Sequence, residues 1–312
     1  MRIQQLEYLE KIVAYGSINE AAKALFLTQP SLSSAVKDLE EEMGIQILLR
    51  SSHGVSLTPE GREFMIYARQ ILDQVHLMKE KYQENAPRKQ AFSVSAQHYA
   101  FVVHAFVELI KSVNADEYQF TLRETETENI LEDLTEFKSE LGILYLNSFN
   151  EKVMRKMFKE RQLQFVPLFT ATPHVFVSRD NPLAKREMIA LEDLEPYPYL
   201  SYEQGERNSF YFSEEILSTL ERKMEIKVSD RATIFNLMVG LNGYTISSGI
   251  ISSTLNDDKI VAIPLAVDDP ITIGYLKHQH LELSAIARAY LTMLKEHIRG
   301  YGFPILTEKL DK

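Results

Sequence analysis

Two helix starts stand eleven positions apart near the N-terminus, at Ser17 and Thr28, and they leave the chain around them few choices. Leu6, Leu9, Ile12 and Val13 recur at helical spacing, and Gly16 supplies a left-handed cap that ends this first helix. Ser17-Ile18-Asn19-Glu20 then reads as a capping box, in which the Ser17 hydroxyl accepts the Glu20 N–H and the Glu20 carboxylate reaches back. Ala21, Ala22 and Leu25 continue a second helix. Thr28 caps a third, with Pro30 in the first turn, where a missing N–H costs nothing, and Gly44 closing it after Met43. The prediction is helix, short turn, helix.

On a helical wheel the third helix turns Leu32, Ala35, Val36, Leu39 and Met43 to one side and Pro30, Ser33, Ser34 and Lys37 to the other. Small polar groups let a helix lie close in a major groove, and Gln29 can bond adenine in bidentate fashion. The same stripe also suits a solvated helix face, and a helix pair alone does not separate the two. The next residues narrow the choice. Ile47-Leu48-Leu49-Arg50, the polar turn Ser51-Ser52-His53-Gly54 and Val55-Ser56-Leu57 read as a small hairpin, a wing. Thr58-Pro59 caps a long helix in which Phe64, Ala68, Ile71, Val75, Met78 and Tyr82 alternate in steps of four and three. Such a seam asks for a partner helix from a second copy or for the chain's own core. Asn85-Ala86-Pro87 ends it, because proline bars helical geometry for the residue before it.

Charge works against indiscriminate nucleic-acid binding: the net charge is −10, and the first sixty residues hold five basic against eight acidic side chains. DNA contact has to be local. The cysteine count of zero removes disulfides, thiolate catalysis and cysteine-held metals together. The start of the chain opens straight into an amphipathic pattern without a signal-peptide core, and no apolar run is long enough for a bilayer, so a cytoplasmic location without membrane contact is expected. The motifs of zinc hydrolysis, phosphate loops, nucleophile elbows and dinucleotide binding are missing; His278 and His280 are a weak metal signal. Neither enzyme activity nor a cofactor is expected.

Gly16-Ser17-Ile18-Asn19-Glu20-Ala21-Ala22, Thr28-Gln29-Pro30-Ser31-Leu32-Ser33, Leu39-Glu40-Glu41-Glu42-Met43-Gly44 and Leu57-Thr58-Pro59-Glu60-Gly61 together make the chain resemble the LysR-type transcriptional regulators. The resemblance implies a winged helix-turn-helix over 1–58, a dimerising linker helix and hinge over 59–86, and an effector-binding domain over 87–312. It assigns DNA contact to Thr28, Gln29, Pro30, Ser31, Ser33, Ser34, Lys37, Arg50 and His53. Ser34 departs from the arginine frequent in the family, and the wing is poorer in arginine than usual. The partners implied are double-stranded operator DNA, a small effector, further copies in a homodimer or homotetramer, and RNA polymerase, since activation is the family's common mode. Ser95-Ala96-Gln97-His98-Tyr99-Ala100-Phe101, Tyr199-Leu200-Ser201-Tyr202-Glu203-Gln204-Gly205 and Ser229-Asp230-Arg231-Ala232-Thr233-Ile234-Phe235 are similar to a branch of streptococcal regulators of methionine uptake and capsule.

Past the hinge, apolar Phe92-Ser93-Val94, a helix from Phe101 to Ile110, a strand near Phe120–Leu122, a helix through Ile130, Leu134 and Phe137 and the strand 141–144 give a βαβ rhythm. This implies a largely parallel sheet flanked by helices. A second set starts near Leu163, with strands at 165–169, 174–178, 225–228 and 244–246 and helices near 212–220 and 232–240. Residues 271–276 and a helix over 283–297 are free to return to the first set. By resemblance this is a two-lobed, periplasmic-binding-protein-like α/β domain, lobe I about 91–162 and 268–300 and lobe II about 163–267, crossed twice by the chain. Ligands sit beyond the carboxyl ends of parallel strands. That rule selects Ser95, Gln97, His98, Thr125, Glu126 and Tyr145 from lobe I and Ser201, Tyr202 and Thr245 from lobe II, a set suited to an amino acid or a related metabolite. Each residue also suits a plain helix cap or turn.

Overall fold

The computed structural model describes residues 1–51, 54–82, 89–115, 117–205, 209–251 and 259–306, and the chain divides into two compact units, Met1–Arg88 and Lys89–Lys312. In the first, α1 (Ile3–Tyr15), α2 (Ile18–Ala24) and α3 (Gln29–Met43) precede the antiparallel hairpin of β1 (Leu48–Ser51) and β2 (Gly54–Leu57), then α4 (Pro59–Tyr82). Gly16 ends α1 at φ 63° and Gly44 ends α3 at φ 67°, where a side chain would strain the backbone. Ser17 Oγ accepts the Glu20 N–H at 3.4 Å, but the Glu20 carboxylate takes Lys23 Nζ at 2.8 Å rather than reaching back. A cation one turn away is a stronger partner than a backbone amide. Thr28 Oγ1 accepts the Ser31 N–H at 3.3 Å.

Leu6, Leu9, Ile12, Leu32, Val36, Leu39 and Ile47 fill one core. Of the α4 seam, Ala68 is buried there and Phe64 packs against it, so these two belong to the unit's own core. Ile71, Met78 and Tyr82 are exposed, as are Ile66, Tyr67 and Leu77 beside them, and Val75 is half-buried. The hinge residues Asn85-Ala86-Pro87 lie outside the described residues.

The second unit holds two mixed five-stranded sheets. The first has the order β4-β3-β5-β12-β6, from β3 (Gln90–Ala96), β4 (Tyr118–Glu124), β5 (Leu141–Leu146), β6 (Leu163–Ala171) and β12 (Ile271–His278). β3 runs parallel to β4 and β5, whereas β12 is antiparallel to β5 and β6. Helices α5 (Ala100–Ser112), α6 (Thr127–Thr135), α7 (Glu151–Glu160) and α9 (Ala285–Gly300) go with it. The second has the order β11-β7-β10-β8-β9, from β7 (His174–Ser178), β8 (Tyr199–Tyr202), β9 (Glu225–Val228), β10 (Tyr244–Ser247) and β11 (Ile260–Pro264), with α8 (Arg231–Leu241).

Three expectations need correction. The sheets are mixed rather than largely parallel. The strand at 163–171 does not open the second set: it pairs with β12 along its whole length, because the returning strand needs a partner on its far edge. No helix spans 212–220; a 3-10 turn at Phe210–Phe212 gives way to irregular chain, since the Glu214 and Glu215 carboxylates turn inward and Leu217 sits at φ 58°. The chain passes between the sheets after β6 and after β11, and the two passages are tied together, the Leu265 N–H donating to Pro173 O at 2.9 Å.

Candidate nucleic-acid interface and ligand cleft

On α3, Leu32, Val36 and Leu39 are buried, which forces Gln29, Pro30, Ser31, Ser34 and Lys37 outward as one exposed stripe. Ser33 is half-buried and accepts Arg50 Nη1 at 2.8 Å, so the wing's arginine is held over the helix. Thr28 shares its hydroxyl with that of Ser31 at 2.8 Å and acts first as a cap. Lys37 lies 3.3 Å from Glu41, an exposed pair that phosphate contact would replace at little cost. His53 lies outside the described residues. Glu40, which the sequence reading left among the acidic residues, accepts the N–H groups of Ile47 and Leu48 at 2.7 and 2.9 Å and fixes the wing to the helix.

In the second unit the predicted ligand residues divide. Ser95 lies inside β3 and donates to Asp133 at 2.6 Å, with Ser139 at 2.7 Å, away from the cleft. Gln97 is spent on lobe I: its oxygen accepts from Tyr145 N and Tyr99 OH at 3.1 and 3.0 Å, and its Nε2 donates to Thr127 at 2.8 Å. Thr125 accepts from Asn129 at 3.2 Å, and Glu126 precedes α6, its carboxyl held above the usual range by burial and by Glu203 and Glu214. Tyr145 donates to Ser213 O at 3.0 Å and Ser201 to Glu225 at 3.3 Å. His98, Tyr202 and Thr245 do meet, lining a cavity of about 30 Å³ with Glu214, Arg231 and Phe235. That volume holds about one water.

The two lobes are clasped there. The His98 backbone N–H donates to Glu214 at 2.8 Å and its Nδ1 lies 2.9 Å from the same carboxylate, which Gln204 Nε2, from the same lobe as Glu214, steadies at 3.2 Å. Tyr202 stacks on the His98 ring at 3.9 Å and 7°. Burial alone pulls the His98 imidazolium down, but the hydrogen bond and charge of Glu214 outweigh it, and the net shift is upward. Arg231 Nη2 reaches Glu124, the last residue of β4, at 3.3 Å. Burial raises the Glu124 carboxyl even against Arg231 and His98. Glu124 Oε1, Arg231 Nη1 and Thr245 Oγ1 are buried without a hydrogen-bond partner among the described residues.

Residues 3–62 match the model of the bacterial regulatory helix-turn-helix protein, lysR family, and residues 102–299 match the LysR substrate binding domain. The chain belongs to the LysR family of transcriptional regulators. Regulators of this family bind DNA and small effectors, oligomerise, and are not enzymes. The hydrogen peroxide-inducible genes activator of Pectobacterium carotovorum subsp. carotovorum is 23% identical, over 96% of this chain and 98% of that protein. The regulator AlsR of Bacillus subtilis is 26% identical, over 80% and 78%. Among solved structures, a cysteine mutant of Corynebacterium glutamicum OxyR has a TM-score of 0.56 at 20% identity, covering 96% of this chain and 94% of that one. A mutant of full-length BenM has 0.51 at 22%, covering 99% and 100%. These two share the fold.

The LysR effector domain thus holds polar groups that sequence reading passed over: Glu214, Arg231 and Glu124. Adjacent glutamates at 214 and 215 look like solvated surface, and only tertiary contacts reveal them as interior. No helix among the described residues is long and apolar enough to cross a membrane.

Proposed function

We propose that this LysR-family regulator is an activator that binds two-fold symmetric operator DNA as a dimer or tetramer through α3 and the wing, and that a small zwitterionic metabolite in the interlobe cleft controls it. The observation that carries the ligand class is the set of unpartnered buried atoms on both lobes: the free Nη1 of Arg231 and the hydroxyl of Thr245 suit a carboxylate, and the free oxygen of Glu124 suits an ammonium group. An amino acid or sulfur metabolite has this form, and the likeness to the methionine-uptake branch points the same way. A thiol-based peroxide signal is closed to a chain without cysteine. The cleft is clasped shut, so ligand entry requires opening, and the ligand's preference between closure states would supply the signal.

Exposed Ile71, Met78 and Tyr82 support pairing of α4 with a second copy. Contact with RNA polymerase follows from activation and from nothing else. The domain limits near 58 and 86 and the cytoplasmic location belong to the same reading. Gel shifts on the gene's own upstream region test the DNA face: Ser33→Ala and Lys37→Ala should each weaken binding, and wild-type affinity should fall steeply as salt rises. Unchanged binding in both variants, or insensitivity to salt, defeats it. Thermal stabilisation by amino acids and sulfur metabolites, lost in Thr245→Val, tests the cleft.

A further inference from the structure

A second cavity, of about 540 Å³, opens in the second lobe between β8, β9 and the irregular segment ahead of β9. Its walls include Tyr199, Ser201, Phe210, Ser218, Arg222 and Glu225. The volume lies in the range of metabolite sites, roughly 300–1,000 Å³, which the 30 Å³ of the clasped cleft does not approach.

Arg222 is the unusual wall residue. Its guanidinium carbon lies 5.0 Å from the centroid of the Tyr199 ring, a cation–π contact that holds it in place. Nε and Nη2 are both buried, and neither has a hydrogen-bond partner among the described residues. These two N–H groups lie along one edge of the guanidinium, the pair that a carboxylate accepts in bidentate fashion. A buried, empty fork is costly unless something fills it. Arg222 also lines a smaller space of about 110 Å³ beside Tyr244.

The described lining of the large cavity also includes Glu215, Glu221 and Glu225, with Lys227 as the one further cation among the described residues. A simple anion would face three carboxyl groups. A molecule bearing both charges would not: its carboxylate meets Arg222 and its ammonium group meets Glu225, whose Oε1 already draws the Ser201 hydroxyl at 3.3 Å. Phe210, Leu220 and Tyr199 leave an apolar patch for a side chain.

We propose that lobe II carries a second effector site, distinct from the interlobe cleft, that binds a free amino acid with its carboxylate on the Nε/Nη2 edge of Arg222. The site is coupled to the cleft. Tyr202 and Glu215 line both cavities, the Tyr202 N–H donates to Glu215 at 3.1 Å, and the Tyr202 ring is the one stacked on His98. A molecule bound at Arg222 therefore acts on the clasp as a co-effector.

The test uses the full-length chain and the twenty protein amino acids as individual probes, read by thermal shift and by titration calorimetry. At least one should bind, its carboxamide should not, and Arg222→Gln should weaken it by about tenfold or more. Thr219→Trp at the exposed rim should do the same by blocking the mouth, and it guards against misfolding of the arginine variant, with the circular dichroism of each variant compared with wild type. Retention of binding in either folded variant overturns the proposal, as does the absence of any binding amino acid. Thr245→Val separates the readings: loss there alone leaves the cleft as the site and defeats this one, whereas loss in both lobe II variants supports it whatever Thr245→Val does.

Discussion

The DNA-binding unit and the effector domain satisfy their polar groups in opposite ways. In the first unit the helix caps and the wing contact are near in sequence: Ser17 to Glu20 and Thr28 to Ser31 span three positions, Glu40 reaches Ile47 across seven and Arg50 reaches Ser33 across seventeen. In the second unit the bonds that close the cleft are far apart in sequence: His98 meets Glu214 across 116 positions and Arg231 meets Glu124 across 107. The buried, unpartnered side-chain atoms of the described residues, on Glu124, Arg222, Arg231, Thr245, Ser248 and His297, all belong to the second unit. A reading head has to be rigid before it meets DNA, and among its described residues no buried side-chain polar atom lacks a partner. A sensor has to keep donors and acceptors in reserve for a molecule that comes and goes, and that reserve costs stability.

The contrast can be broken by mutation. Leu9→Ala, in a core position with no exposed surface, should cost the first unit about 2–5 kcal/mol in urea unfolding and abolish operator binding; a loss below about 1 kcal/mol would mean that this unit is not the rigid head the contrast requires. Glu40→Ala removes two charge-assisted bonds and should cost about 2 kcal/mol. Because the wing is then released, gel-shift affinity should fall more than for Lys37→Ala. Thr245→Val should do the reverse in the sensor: with no ligand present it replaces an orphaned hydroxyl with a methyl group and should raise stability by about 1 kcal/mol in chemical denaturation. Destabilisation by the valine would show that the hydroxyl already has a partner.

The smallest effect is on pH. The His98 imidazole is raised in the folded state, so its stabilising contribution is complete below the ordinary imidazole value and is lost as pH climbs through the raised one. The raised carboxyls of Glu124 and Glu215, pushed up first by burial, act in the same direction, their contribution being lost as pH rises through their raised values. His297, lowered to about 4 chiefly by burial, acts oppositely, with stability lost as pH falls from the ordinary imidazole value toward 4. Chemical denaturation across this range should show wild type weakening above the ordinary imidazole value and His98→Gln flat there. Parallel curves for the two proteins would remove the clasp from the balance.

The same contrast explains what the sequence disclosed. Caps, the turn before Thr28, the wing strands and the α3 stripe follow from relations three or four residues long, and all were readable. The capping box failed only in its second half, where Lys23 competed for Glu20. The α4 seam was readable as a pattern, but not that Phe64 and Ala68 serve the local core while Ile71, Met78 and Tyr82 stay exposed. Of the residues the strand-end rule selects in the effector domain, His98, Tyr202 and Thr245 line the interlobe cavity, while Ser95 and Gln97 are consumed by Asp133 and Tyr145 instead. Glu214 and Arg222 carry no local signal. Their environments are assembled from segments that only tertiary packing brings together, as is the sheet membership of β6.

The paired passages between the lobes set what such a sensor can report. Leu265 and Pro173 pin them side by side, so both crossings lie at one place, the arrangement on which hinge closure of two lobes turns. If ligand control runs through the cleft as proposed, a hinge of this kind reports to the promoter as one number, the width of the opening.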